Sequence, residues 1–151
     1  MITLLVGYPA SGKSTHIRAY GAYPVVICPD EFRMIITGRD YFAPLEEIVW
    51  FSVKITARIL LSQKRDIIVD ATNLTAGQRA VWVRMAKEYG MDIDCVWLNV
   101  PFEECLRRNN ERQRVVPVEV MEQMKATFQP PTFEEGFSRC TEILHPIGKQ
   151  K

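Results

Sequence analysis

One stretch near the amino terminus limits what this chain can fold into: Gly7-Tyr8-Pro9-Ala10-Ser11-Gly12-Lys13-Ser14-Thr15. It spells G-x-x-x-x-G-K-S, the phosphate-binding loop pattern. The chemistry asks for these residue types. Glycine lets backbone N–H groups curl around phosphate oxygens with no Cβ in the way. Lys13 supplies a point charge for the β- and γ-phosphates, and the Ser14 hydroxyl is placed to ligate Mg²⁺. The expected phosphate contacts are therefore Gly7, Ala10, Ser11, Gly12, Lys13, Ser14 and Thr15. The context such a loop needs is also present. Ile2–Val6 is an apolar run suited to a buried strand. Lys13 to Tyr20 permits a helix, whose positive end adds to the phosphate site.

The same alternation continues down the chain. Apolar runs at Pro24–Cys28, Asp66–Asp70, Ile93–Val100 and Cys140–Leu144 read as further strands. Helices are expected over Asp30–Thr37 (closed by Gly38), Ala43–Gln63, Ala76–Tyr89 (stopped by Gly90), Pro101 to about Arg112, and Pro117 to about Phe128. Pro130-Pro131 breaks the chain before the last strand. The strands are continuous apolar runs, which predicts a parallel sheet covered on both faces. On the long helix, Leu45, Ile48, Val49, Phe51, Ile55 and Ile59 recur at helical spacing and are expected to face the core. Trp50, Trp82 and Trp97 are expected there too.

Composition narrows the class. The chain has 151 residues, 47% hydrophobic and 25% charged, which suits one globular domain over 1–151. Its net charge of +1 argues against a broad nucleic-acid-coating protein, though not against a narrow basic groove. Cys28, Cys95, Cys105 and Cys140 are dispersed and read as reduced thiols of a cytoplasmic protein. His16 and His145 lack ligand spacing, which makes zinc an unsuitable guess. The chain enters its first strand at once, so no signal peptide is expected. Lys54 and Arg58 interrupt the longest apolar region, Ile48 to Leu61, so no membrane span or membrane partner is expected.

In parallel sheets ligands bind beyond the carboxyl ends of the strands. Gly7, Asp30 and Asp70 each follow a predicted strand. Asp30 and Arg33 are three apart on a helix start and share a face. Alone they read as an N-cap and a solvated ion pair. On the same rim as the loop, they read as a carboxylate that takes a hydroxyl proton and a guanidinium that grips a phosphate in two-pronged fashion. Asp70 ends Ile67-Ile68-Val69-Asp70, a Walker-B-like strand. It is placed to bind Mg²⁺ directly or through water, or to orient Arg33. Thr72 and Asn73 read as turn formers, and Thr75 as a helix N-cap. Arg108 and Arg112 are i,i+4 and expected on one helix face, either as a solvated surface with Glu104 or as a mobile flap over the transferring phosphoryl group. Val115-Val116-Pro117 reads as its hinge.

Together these pieces resemble the kinase domain of 5′-polynucleotide kinases. The resemblance rests on Gly7–Thr15, Asp30-Glu31-Phe32-Arg33, Val69-Asp70-Ala71-Thr72-Asn73-Leu74, and Arg108-Asn109-Asn110-Glu111-Arg112 with Val116-Pro117. The tail Pro131–Phe137 is similar to a segment that follows the lid in bifunctional kinase–phosphatases. The resemblance implies a P-loop kinase fold, with a five-stranded parallel sheet, helices on both faces and an arginine-bearing lid over about residues 101–118. It implies ATP and Mg²⁺ as cofactors and a 5′-OH DNA or RNA end as acceptor. Asp30 would be the general base, and Arg33 would hold the acceptor's 3′-side phosphate. Asp70 would fix the acceptor and Arg33. Arg112, with Arg108, would close on the donor phosphates, while Lys13 and Ser14 keep their loop roles. The other readings are a P-loop kinase of a small metabolite or nucleoside, and a nucleotide-binding switch.

Overall fold

The computed structural model describes residues 1–22 and 24–144, which leaves the His145 expectation outside the described residues. The elements run β1 (Ile2–Val6), α1 (Lys13–Ile17), β2 (Val25–Ile27), α2 (Pro29–Thr37), α3 (Glu46–Ser62), β3 (Ile67–Val69), α4 (Ala76–Tyr89), β4 (Ile93–Asn99), α5 (Phe102–Asn110), α6 (Val118–Thr127) and β5 (Arg139–Leu144). Short 3₁₀ turns extend α1 over Arg18–Tyr20, lead into α3 at Ala43–Leu45, and precede β5 at Phe133–Glu135. Among the described residues no helix is long and apolar enough to cross a membrane.

All five strands are parallel, in the order β2-β3-β1-β4-β5. β1 lies at the centre, with Ile2 level with Ile67 on one side and Ile93 on the other. Its alternate residues serve opposite faces. Ile2, Leu4 and Val6 join the large core under α3 and α4. Leu5 joins a smaller cluster with Ile68, Val96 and Leu98, against which Ile17 and Tyr20 pack from the α1 side. A third cluster joins Val100 and Phe102 to Cys105 on α5 and Met121 on α6.

Local signals set the helix ends. Thr75 caps α4 as expected: its hydroxyl accepts from Gln78 N at 3.2 Å, and Gln78 Oε1 accepts from Thr75 N. Gly90 ends α4 in the left-handed region. The four cysteines are free thiols, with Cys95 and Cys105 buried.

The expected inner face of α3 is corrected. Val49, Val53, Ala57 and Leu61 are buried, whereas Ile48, Phe51, Ile55 and Ile59 point outward, 51%, 68%, 42% and 53% exposed. Both stripes are apolar, so periodicity alone does not choose between them. The buried one includes the small Ala57, which lies in the core cluster with Val53 and Leu61. The tryptophans also divide. Trp82 is interior, while Trp50 and Trp97 are half-buried against the core.

A buried guanidinium ties the carboxyl-terminal segment to this frame. Arg79 on α4 is fully buried. Its Nε and Nη2 donate to Glu135 Oε2 and Oε1 at 2.8 and 2.7 Å, and its Nη1 donates to the carbonyls of Asn73 and Gln129 at 3.0 and 2.9 Å. Removing one member of such a pair leaves the rest buried and unpaired. Arg79→Leu is therefore expected to lower the free energy of unfolding by about 3–5 kcal/mol, read from urea denaturation.

Candidate active site

The loop after β1 forms the cradle its sequence requires. A Cβ on Gly7 would lie 2.6 Å from Ser11 Oγ and 3.1 Å from the Leu98 carbonyl oxygen, so only glycine fits. Gly12 sits at φ 97°, and Ala10, which does carry a Cβ, is held at φ 64°. Left-handed backbone in a non-glycine residue costs about 1–2 kcal/mol, so the loop holds a local strain at Ala10. Ser11 Oγ is buried with no hydrogen-bond partner. The first N–H groups of α1 have no intrahelical acceptor.

Lys13 is half-buried and folded back on its own loop. Its Nζ donates to the Gly7 and Tyr8 carbonyls at 2.9 and 2.8 Å. Burial pushes its pKa down to about 8; Asp70, Cys105 and Asp30 pull it up, and Arg112 pushes it down. The ammonium thus senses Asp70, Asp30 and Arg112 together, although they belong to three separate segments.

The register explains the gathering. Ile27 and Leu4 both stand level with Val69, so β1, β2 and β3 end on one edge. Asp70 N donates to the Ile27 carbonyl at 2.9 Å, and Gly7 N to the Thr72 carbonyl at 3.1 Å. Asn73 is more than a turn former. It is buried, at φ 48°, and its Nδ2 donates to the Leu5 carbonyl at 2.8 Å, binding the end of β3 to the end of β1. Burial raises the Asp70 pKa; Lys13 counters this, and the charges of Asp30 and Glu31 add to it.

Asp30 is not the N-cap. Pro29 opens α2 and Cys28 takes the cap position, which leaves the Asp30 carboxylate in the first turn and free of capping. Its Oδ1 accepts from Arg33 Nη1 at 2.5 Å, and its Oδ2 pairs with Arg114 Nη1 at 3.1 Å. Arg33 is not oriented by Asp70. Its Nε and Nη2 donate to Glu46 Oε1 and Oε2 at 2.7 and 3.0 Å, and its guanidinium stands 5.8 Å from the Trp50 ring centre. The two-pronged grip expected of Arg33 is therefore spent on Glu46. Its remaining N–H groups lie at the Nη ends, beside Asp30.

The arginine segment also differs from the expected stacked pair. α5 stops at Asn110, so Arg112 lies beyond the helix. Arg108 Nε donates back to Glu104 at 2.6 Å, the expected surface pair. The Arg112 side chain has no hydrogen-bond or ion-pair partner among the described residues, and its charge is felt at Lys13. Arg114 spans from this segment to Asp30 and Asp40. The presumed hinge is fastened: the buried Asn109 donates from Nδ2 to the Val116 carbonyl at 2.8 Å and accepts from Val116 N at 3.0 Å.

Sequence reading missed Glu46, Arg114 and Asn109. Glu46 and Arg114 pair over long chain separations that no local pattern encodes. Asn109 carried a signal, an amide just before the end of a polar helix and ahead of a Val-Val-Pro segment. Chemically, the curled backbone, the unpartnered Ser11 hydroxyl and the Lys13 ammonium fit a polyphosphate. The exposed Ser14 hydroxyl and Asp70 fit Mg²⁺, which takes few protein ligands and fills its shell with water and phosphate. No cluster of three His, Cys, Asp or Glu residues offers a full metal cage among the described residues.

Comparison with known proteins bears on the family and the fold. Residues 2–131 match the family model described as AAA domain. The chain is 31% identical over 150 residues to the bifunctional polynucleotide phosphatase/kinase of Schizosaccharomyces pombe, covering 94% of this chain and 33% of that protein. It is 29% identical over 139 residues to the L-seryl-tRNA(Sec) kinase of Methanococcus maripaludis, covering 87% of this chain and 53% of that one. Among solved structures, a chain of the Pnkp1/Rnl/Hen1 RNA repair complex aligns with a TM-score of 0.73 at 27% identity, over 83% of this chain and 43% of that chain. The chain therefore spans about a third to a half of the length of the curated relatives it matches. With the family model matched across most of its residues and the same sheet and loop in its structural neighbours, the chain belongs to the AAA domain family and has the α/β fold of the P-loop kinases.

Proposed function

We propose that this chain is an ATP-dependent kinase that phosphorylates the 5′-hydroxyl end of DNA or RNA. The observation that carries the reading is the Asp30–Arg33 ion pair, whose carboxylate lies within electrostatic reach of the loop lysine. A nucleotide switch has no use for such a pair. The 31% identity to a polynucleotide phosphatase/kinase supports the choice of acceptor.

In this reading Gly7, Ala10, Ser11, Gly12, Lys13, Ser14 and Thr15 hold the ATP phosphates. Ser14, with Asp70 through water, would hold Mg²⁺, which would supply positive charge to offset that of the phosphates. Asp30 takes the proton of the 5′-hydroxyl. The freed oxygen bonds to the γ-phosphorus as the bond to the β,γ-bridging oxygen breaks, and ADP leaves. The acceptor displaces Arg114 from Asp30 Oδ2 to reach the base. Arg33, held by Glu46, presents its Nη ends to the phosphate on the acceptor's 3′ side. Asp70 helps position the acceptor. Residues 101–118 act as the lid. Arg112 stabilises the charge on the moving phosphoryl group with Lys13, joined by Arg108 once it leaves Glu104.

A nucleoside or small metabolite is the second acceptor class. The near-neutral net charge favours it as readily as it favours a grip on one end nucleotide. Radiolabel transfer from ATP to a panel of 5′-OH DNA, 5′-OH RNA, nucleosides and sugars separates the two. The oligonucleotides are expected to be the labelled products, and labelling of nucleosides or sugars alone would overturn the first reading.

Asp30→Asn is expected to lower kcat by roughly 10²–10⁴-fold with ATP binding retained. Arg33→Ala is expected to raise KM for 3′-phosphorylated acceptors by about tenfold or more, the loss of one charge-assisted bond, while KM for ATP changes little. Equal loss of both would remove the assigned role.

The Lys13 pKa of about 8 sets a pH dependence. The ammonium carries its charge below that value and loses it above. Phosphate oxygens favour the charged form, so binding raises its pKa. ATP affinity is therefore expected to fall as pH rises through about 8, where the terminal phosphate has already lost its proton. Calorimetry at that pH in two buffers of different ionisation enthalpy should record net proton uptake on binding.

A further inference from the structure

The outward stripe of α3 is the largest regular feature of the molecule that the phosphoryl-transfer reading does not use. Ile48, Phe51, Ile55 and Ile59 follow one another at steps of three, four and four residues, so they form one continuous ridge on the helix. All four are at least 42% exposed. Single exposed apolar residues are ordinary, but a contiguous run marks a contact surface. The two serine hydroxyls beside the ridge are already satisfied. Ser52 Oγ donates to the Ile48 carbonyl at 2.9 Å, and Ser62 Oγ to the Ile59 carbonyl at 2.7 Å. Covering the ridge therefore leaves neither hydroxyl without a partner.

The charges flanking the ridge choose the occupant. Glu47 stands one residue before its start and Arg58 one residue before its end, both on the same side of the ridge. Glu47 is exposed, and Arg58 is held by Glu88 of α4. Two copies of α3 laid antiparallel about a two-fold axis near Val53 bring Ile48 opposite Ile59 and Phe51 opposite Ile55. The same axis sets Glu47 of each copy beside Arg58 of the other. At its two ends the ridge is thus complementary to its own inverse, the condition for an isologous interface, while the exposed Lys54 on the same flank stands level with the axis and points away from it. A parallel or offset pairing sets the two flanks out of step.

We propose that this face of α3 is the interface of a homodimer, formed by antiparallel packing of the two α3 helices. One helix ridge is small beside the roughly 800 Å² per partner of a standard interface. The dimer is accordingly weak and concentration-dependent. α3 also carries Glu46 and Trp50, which hold Arg33, so dimerisation buttresses the acceptor side from behind.

Sedimentation equilibrium of the whole chain, from low micromolar to millimolar concentration, tests this without reference to any activity. The mass is expected to climb from monomer toward twice that value. Phe51→Glu should hold the chain at monomer with its circular dichroism unchanged, because the side chain is mostly exposed in the monomer. Glu47→Arg and Arg58→Glu should each shift the dimer dissociation constant upward by about threefold or more, and the double exchange should restore it. A chain that stays monomeric at millimolar concentration overturns the proposal and leaves the ridge to a different partner. So does a dimer indifferent to Phe51→Glu, which places the contact on another surface.

Discussion

The parallel pairing of β1 with β3 and β4 is the constraint on which the site depends. β1 cannot supply a phosphate loop alone, because the loop needs walls. The Leu98 carbonyl from β4 closes one side, and the Thr72 carbonyl and Asn73 amide from the end of β3 close the other. Once β2 joins β3 in register, α2 starts from the same edge and carries Asp30 with it. Hydrogen bonding among strand ends, more than any side-chain contact, thus sets the distance between cradle and carboxylate.

Charge balance across that edge is tight and local. The Lys13 ammonium is stabilised by two backbone carbonyls and by the nearby carboxylates, against the cost of its burial. Asp30 meets two guanidiniums, and Arg33 meets two carboxylates and an aromatic face. Every one of these groups has a partner that a phosphate or hydroxyl can replace in kind. Such a site exchanges internal contacts for contacts to a ligand without first stripping bare charges of water.

What was legible in the sequence was what short-range chemistry encodes. The loop pattern, the Thr75 cap, the glycine stop at Gly90 and the strand runs all rest on neighbours within a few residues, and the shared rim of Gly7, Asp30 and Asp70 follows from each standing just after a strand of one parallel sheet. What was illegible depended on segments meeting from afar. Arg33 pairs with Glu46, thirteen residues away, and Arg114 with Asp30, on an element from another part of the chain. Arg79 finds Glu135 only after the whole of β4, α5 and α6 has been laid down. The face of α3 failed for a different reason. Two apolar stripes share one helix, and which of them packs on the sheet is settled by tertiary contact, which no periodicity reports.

The Asn109 clamp on Val116 turns the intervening residues into a cassette. Both ends of the segment from 110 to 115 are fixed to each other by one side-chain amide, independently of what lies between. Lengthening a closed loop costs little, about 0.6 kcal/mol per doubling. Residues can therefore be inserted between 111 and 115 at little cost to α5, α6 or the sheet beneath them. The scaffold separates the strand edge, whose geometry is fixed, from a loop whose length can change around Arg112 and Arg114.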